Sequence, residues 1–204
     1  KVRDWIDDLQ RQGRITFTLK ELYEQFASHN EAVLKNTLTR LVSKNRIYSV
    51  WQGLYAIIPI EYSSKGMVPP ILYIDDLMKY LDRPYYISLL NAAVFYGAAH
   101  QRPQEFCVVT TSGSLRSSKK KDVKINFINK KEIPAELIVK KKTKTGYVNV
   151  SCPELTATDL VQYEREIGGL NRVATVLNEL ANELKFSKLP KSFFEYVPAP
   201  VIRR

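Results

Sequence analysis

Cysteine is nearly absent from this chain: Cys107 and Cys152 are the only two in 204 residues. Two are too few for a disulfide framework, and both fall in strand-like segments where a buried free thiol is the ordinary occupant. Histidine is as scarce. His29 and His100 lie in different expected domains with no Cys or carboxylate at ligand spacing, so no metal centre is expected. The eight glycines are scattered, which excludes a glycine-rich phosphate loop and the nucleotide cofactors held by one. No apolar run approaches the roughly 18 residues of a membrane span, and no signal-peptide pattern opens the chain. A reduced, cytoplasmic setting without a membrane partner is therefore expected. The chain starts at Lys1 without a methionine and stops at Arg203-Arg204, which reads as a trimmed fragment.

What the sequence does have is apolar content and positive charge. With 45% apolar and 11% aromatic residues it can bury a real core, and disorder is not the default. The formal charge is +10, unevenly spread. Residues 1–60 carry +3 and residues 61–101 carry −1, whereas residues 102–147 hold twelve Lys and Arg against four Asp and Glu, a net +8. Residues 148–204 are neutral. Much of the excess comes from Lys119-Lys120-Lys121 and Lys140-Lys141-Lys142, which together form a candidate basic patch for a polyanion. Solvated strand ends and loops are the plainer explanation of such runs.

Residues 14–58 carry the most specific pattern, a winged helix-turn-helix. Val2, Trp5, Ile6 and Leu9 give a first amphipathic helix ending near Gly13, and residues 15–17 can add a strand to a later hairpin. Thr18 and Glu21 are spaced as a capping box, with Phe17 and Leu22 placed as a hydrophobic staple. A break at Ala27-Ser28-His29-Asn30 leads into a third helix, where Ser28 and Glu31 form a second possible box and Asn45 can end the helix in the left-handed conformation. Leu34, Leu38, Leu41 and Val42 cluster on one side at 100° per residue; Ala32, Val33, Asn36, Thr39, Arg40 and Ser43 lie opposite. In a major groove, Asn36, Thr39, Arg40 and Ser43 are candidate base contacts. Lys35, Lys44, Arg46 and Gln52 are candidate phosphate contacts. Residues 47–50 and 54–58, around Gln52-Gly53, form a short wing, with Trp51 and Gln52 at its tip. Winged helices also serve as protein-interaction modules, in which case this polar face is plain surface.

Residues 62–70 are turn-rich and read as a linker between domains at 1–61 and 71–204. Asp75-Asp76 starts a short helix, and Pro84 suits the first position of a longer one over 85–96, stopped by Gly97. His100, at the end of that segment, reads as a capping or orienting residue. Strands are expected at 106–111, 123–128, 137–141 and 147–150, helix at 156–164, and a last amphipathic helix along Val173, Val176, Leu177, Leu180 and Leu184. The expected fold is α+β: a winged helix-turn-helix followed by a small mixed sheet flanked by helices.

Catalysis has little to stand on. Ser88, near Tyr85 and Tyr86, has no base beside it. Asp122-Val123-Lys124 hints at the acidic-x-Lys element of metal-dependent nucleases, but the preceding strand offers only Glu105 at its start, and one acidic residue cannot build a two-metal clamp. No cofactor is expected.

The segment Trp51-Gln52-Gly53-Leu54-Tyr55-Ala56-Ile57 resembles the wing of AbiEi-type antitoxins. So do Pro84-Tyr85-Tyr86-Ile87-Ser88-Leu89-Leu90-Asn91-Ala92-Ala93, Tyr96-Gly97-Ala98-Ala99-His100 and the strand at 106–110 resemble that family's second block. The likeness runs from about residue 5 to 190, and the order of the two blocks is its most specific feature. The family belongs to the type IV, abortive-infection toxin–antitoxin systems of prokaryotes. The resemblance implies a winged domain that binds inverted repeats in double-stranded DNA of its own promoter, and represses it. It also implies a C-terminal domain that counteracts a cognate nucleotidyltransferase-like toxin, without requiring a direct complex. By position, the recognition helix is 28–45, with Asn36, Thr39 and Arg40 reading bases. Two departures stand out: the family's basic wing tip is here Trp51-Gln52, and Asn45 stands where glycine is usual.

Overall fold

The computed structural model describes residues 1–99, 103–111, 113, 115, 117–120 and 123–203. The chain divides into two compact units: Lys1–Asp82 with Thr143–Gly146, and Arg83–Lys142 with Tyr147–Arg204.

The first unit contains α1 (Val2–Arg11), β1 (Thr16–Thr18), α2 (Leu19–Gln25), α3 (Glu31–Ser43), β2 (Ile47–Trp51), β3 (Leu54–Ile57) and α4 (Ile74–Tyr80). Its three strands form an antiparallel sheet in the order β1-β3-β2. Val2, Ile6 and Leu9 of α1, Leu22 of α2, and Leu34, Leu38 and Leu41 of α3 bury one core with Phe17, Ile47 and Ile57. Trp5 meets the edge of the Phe17 ring at 5.3 Å, and Phe17 stacks on Tyr55 at 5.5 Å. The expected box on α2 is present: the Glu21 amide donates to Thr18 Oγ1 at 3.1 Å, and the Thr18 amide to Glu21 Oε2 at 2.7 Å. Arg14 adds an ion pair at 2.6 Å. Burial opposes ionisation of Glu21, but these donors win and hold its carboxyl below its ordinary value. This stabilisation is present above the unfolded carboxylate range and is lost as pH falls through the lowered folded value. Thr18→Ala should cost about 1 kcal/mol, read as a lower melting temperature at neutral pH with a smaller difference from wild type in acid.

Three expectations for this unit need correction. Ser28 does not cap α3; its hydroxyl lies 3.3 Å from His29 Nδ1, and Asn30 is the cap, its Oδ1 accepting from the Ala32 amide at 2.8 Å. Val42 does not join Leu34, Leu38 and Leu41 in the core but is exposed, because three leucines already span the inward stripe. Residues 62–70, expected as a linker, and 71–82, expected in the second domain, belong to the first unit, where Val68, Leu72, Tyr73, Ile74, Leu77 and Met78 are all buried. Polar contacts tie this stretch down: Thr16 Oγ1 donates to Asp76 Oδ2 at 2.6 Å, and Tyr80 Oη to the Gln52 carbonyl at 3.0 Å. Asn45, at φ 52°, takes the left-handed conformation expected of it.

The second unit contains β4 (Tyr85–Ile87), α5 (Leu89–Ala93), β5 (Glu105–Thr110), β6 (Ser118–Lys120), β7 (Val123–Asn129), β8 (Ile138–Thr143), β9 (Gly146–Ser151), α6 (Pro153–Gln162), α7 (Leu170–Leu180), α8 (Lys191–Tyr196) and α9 (Ala199–Ile202). A six-stranded mixed sheet runs β6-β7-β5-β4-β9-β8. β4 is antiparallel to β5 and parallel to β9, while β5 and β7 are parallel. The expected strands at 106–111, 123–128, 137–141 and 147–150 are these β5, β7, β8 and β9. The helix expected over 85–96 is not one element. Tyr85, Tyr86 and Ile87 form a fully buried central strand, and Leu89, at φ 55°, turns the chain as the first residue of a helix of only five. Aromatic and β-branched residues flanked on both sides by partner strands favour the pleated form over continuation of a helix. Gly97, left-handed at φ 72°, closes the segment as anticipated.

Candidate nucleic-acid interface

The outer face of α3 is built by subtraction. Leu34, Leu38 and Leu41 fix which stripe faces inward, and Asn36, Thr39, Arg40 and Ser43 are left exposed on the other side. Their chemistry is unequal. Thr39 Oγ1 donates to the Lys35 carbonyl at 3.1 Å and Ser43 Oγ to the Arg40 carbonyl at 2.9 Å, so both hydroxyl protons are already spent on the helix. Thr37 does the same with Val33, at 2.8 Å. The side chains of Asn36 and Arg40 have no partner among the described residues, which leaves an amide and a guanidinium, both capable of bidentate recognition, free in solvent.

The four candidate phosphate contacts also separate. Lys44 is exposed and without a partner. Lys35 pairs loosely with Glu31 at 3.6 Å, both in water, an arrangement that costs little to exchange. Arg46 is drawn back to α1, its guanidinium 2.6 Å from Asp7 and only partly exposed, so it braces the helix rather than offering a free cation. Gln52 is exposed at the tip between β2 and β3, but its carbonyl is taken by Tyr80. Gly53 beside it, at φ 78°, leaves a Cβ no room: it would lie 2.6 Å from Tyr80 Oη. Trp51 is half-buried.

The lysine runs do not form one patch. Lys119 and Lys120 lie on β6 and Lys140, Lys141 and Lys142 on β8, the two opposite edges of the sheet. Five strand spacings separate them, roughly 24 Å at about 4.8 Å each. Lys121, the third of its run, lies outside the described residues, as do Asp122 and His100. Lys119 stands opposite Lys124, which pairs with Glu105 at 2.6 Å. Lys141 lies over the Tyr96 ring at 4.5 Å. Lys140 and Lys142 are exposed. Lysines on edge strands also discourage the pairing of sheets between molecules.

One cluster escaped the sequence reading. Asp159, in the middle of α6, is 1% exposed and takes Lys130 Nζ on Oδ1 at 2.9 Å. Its Oδ2 accepts from Tyr86 Oη at 3.0 Å and Ser88 Oγ at 2.7 Å. The Lys130 ammonium sits 4.5 Å from the Tyr196 ring centre and 5.6 Å from that of Tyr163. Tyr196 Oη lies 3.2 Å from Tyr86 Oη, which links α8 to the central strand. Burial raises the Tyr163 hydroxyl to about 12 and also pushes those of Tyr86 and Tyr196 well up from the ordinary phenol value, with the Asp159 charge adding to the Tyr86 effect. The available signal was a lone Asp on the apolar stripe of α6, between Leu155 and Leu160.

Neither cysteine is primed as a nucleophile. Burial lifts the Cys107 thiol to about 12 and that of Cys152 to about 11, and Cys152 Sγ caps α6 by accepting from the Leu155 amide at 3.4 Å. Among the described residues, no group of three or more His, Cys, Asp or Glu is placed to hold a metal. Nor is any helix of theirs long and apolar enough to cross a membrane.

Residues 86–204, more than half of the chain, match the family described as the AbiEi antitoxin C-terminal domain. The match makes the second unit an antitoxin domain of toxin–antitoxin systems. The chain belongs to the AbiEi antitoxin family. No curated protein matches it.

Proposed function

We propose that the chain is a cytoplasmic, non-enzymatic antitoxin of a type IV system and the DNA-binding repressor of its own operon. In this reading the first unit is a winged helix-turn-helix, α3 is its recognition helix, and the second unit counteracts a nucleotidyltransferase-like toxin without a stable complex. The observation that carries the reading is the bare face of α3, where Asn36, Arg40 and Lys44 stand exposed without partners on a helix fixed from behind by three leucines. The order helix, strand, two helices, hairpin, with β1 joining that hairpin, supports it, being the order of winged DNA readers. Family membership supports the antitoxin half.

The wing has a smaller part here than in winged domains with basic tips. Its carbonyl is anchored by Tyr80 and its tip carries no cation, so groove contact falls mainly to α3. The edge lysines of the second unit add phosphate contact on one edge at a time, since about 24 Å of sheet separates the runs.

The test is a titration of the full chain against its own upstream region and a scrambled duplex at two salt concentrations. The repressor reading expects a preference of about 10³-fold or more for the upstream region. Neutralising Lys140 and Lys142 should weaken both duplexes equally and flatten the salt dependence. Weak binding indifferent to sequence would overturn the reading and favour an interaction module with an acidic protein or RNA partner.

A further inference from the structure

Val33 is 55% exposed, an apolar side chain set among polar ones on the outer face of α3. It is the third residue of the helix, and residues near the start of a recognition helix are those that reach base edges. Asn36 follows it by three positions and Arg40 by seven, so the three lie along one stripe, one turn apart. Thr37, on the other flank of Val33, turns its hydroxyl onto the Val33 carbonyl at 2.8 Å, which leaves its methyl as its uncommitted end. The start of the face is thus apolar and its middle polar. In the major groove the one apolar feature on a base edge is the C5-methyl of thymine, while adenine presents the N6/N7 pair that an amide reads and guanine the O6/N7 pair that a guanidinium reads.

We propose that Val33 determines specificity by packing on the C5-methyl of one thymine in the operator, beside the base pair read by Asn36. The proposal rests on the reading of α3 as a DNA-recognition helix, and it names the sequence class: an A·T-containing step, thymine methyl outward, followed by a guanine within reach of Arg40. Val33 is free to serve this purpose because it contributes nothing to the core, where Leu34, Leu38 and Leu41 fill the inward stripe. Its replacement by alanine, a better helix former, leaves the fold in place.

The experiment uses the full chain and the duplex it enriches most from a random-sequence pool. Each thymine of that duplex is replaced in turn by deoxyuridine, which lacks only the methyl, and affinity is measured for the wild type, Val33→Ala and Val33→Thr. The expected result is one thymine, or its symmetry-related pair, at which the wild type loses about three- to five-fold on losing the methyl. Val33→Ala should bind the thymine duplex that much more weakly and respond to deoxyuridine there with no further loss. Val33→Thr, which keeps one methyl, should fall between. A selective duplex whose deoxyuridine profile is the same for the wild type and Val33→Ala, or which has no sensitive thymine, overturns this assignment alone. Failure of any duplex to enrich overturns it together with the DNA-reader reading.

Discussion

Lys130→Met should destabilise the second unit by about 3–5 kcal/mol. The pair it breaks is buried on both sides: Lys130 is 12% exposed and Asp159 1%. Methionine preserves the aliphatic stem that runs past Tyr163 and Tyr196, so packing changes little and the cost falls on charge. Asp159 would keep its two hydroxyl donors, Tyr86 and Ser88, but lose the only cation that neutralises it among the described residues. A carboxylate left in that position must either stay charged in an apolar setting or take up a proton, and either route costs stability. For a chain of this size the melting temperature of that transition should fall by about 6–20 °C. Lys130→Met with Asp159→Asn should recover much of the loss, because a neutral amide can still accept from Tyr86 and Ser88. An unchanged melting temperature for Lys130→Met would show that the pair does not hold the unit together. If toxin counteraction were lost at the same time, the cluster would belong to function rather than to folding.

That cluster marks the boundary of what the sequence reveals. Most features set by neighbours in the chain were legible: the Thr18–Glu21 box, the left-handed Asn45, the stop at Gly97 and the strands of β5, β7, β8 and β9, whereas the cap of α3 fell to Asn30 rather than Ser28. Features set by distant pairing were not. Residues 85–96 are apolar on nearly every side, a pattern that fits a buried strand as well as a buried helix. Pairing of Tyr85, Tyr86 and Ile87 with Thr110, Val109 and Val108, and of Ile87 with Val150, decides for the strand. Strand order is equally hidden. Two lysine runs of similar composition look like one patch along the chain, and only the crossovers send them to opposite edges. Asp159 and Lys130 lie on different elements, and nothing local to either names the other. The candidate interface falls between these cases. Its exposed face followed from helical periodicity, whereas the loss of Arg46 to Asp7 and the Tyr80 contact at the wing tip required the tertiary structure.

Arg40→Ala should remove about 1–3 kcal/mol of specific DNA affinity, five- to more than a hundred-fold, and relax the choice of a single base pair. The argument turns on what Arg40 does in the absence of DNA. It makes no ion pair and no side-chain hydrogen bond among the described residues, so its removal leaves no buried group orphaned and the fold loses almost nothing. Any fall in affinity is then a property of the interface and not of a damaged protein, which cannot be said of Arg46, whose loss would free Asp7 of its partner. The nature of the fall distinguishes its cause. A guanidinium that only touches phosphate would lower affinity for the selected and the scrambled duplex alike and reduce the salt slope by about one unit. A guanidinium reading guanine would lower affinity for the selected duplex, spare the scrambled one, and make the variant indifferent to replacement of that guanine. Arg40→Lys separates the two further, because an ammonium keeps the charge but lacks the planar fork that matches O6 and N7. It should restore non-specific binding without restoring the choice of base. Selectivity equal to wild type in both variants would remove Arg40 from the reading face and leave Asn36 as the only free bidentate group on α3 to carry it.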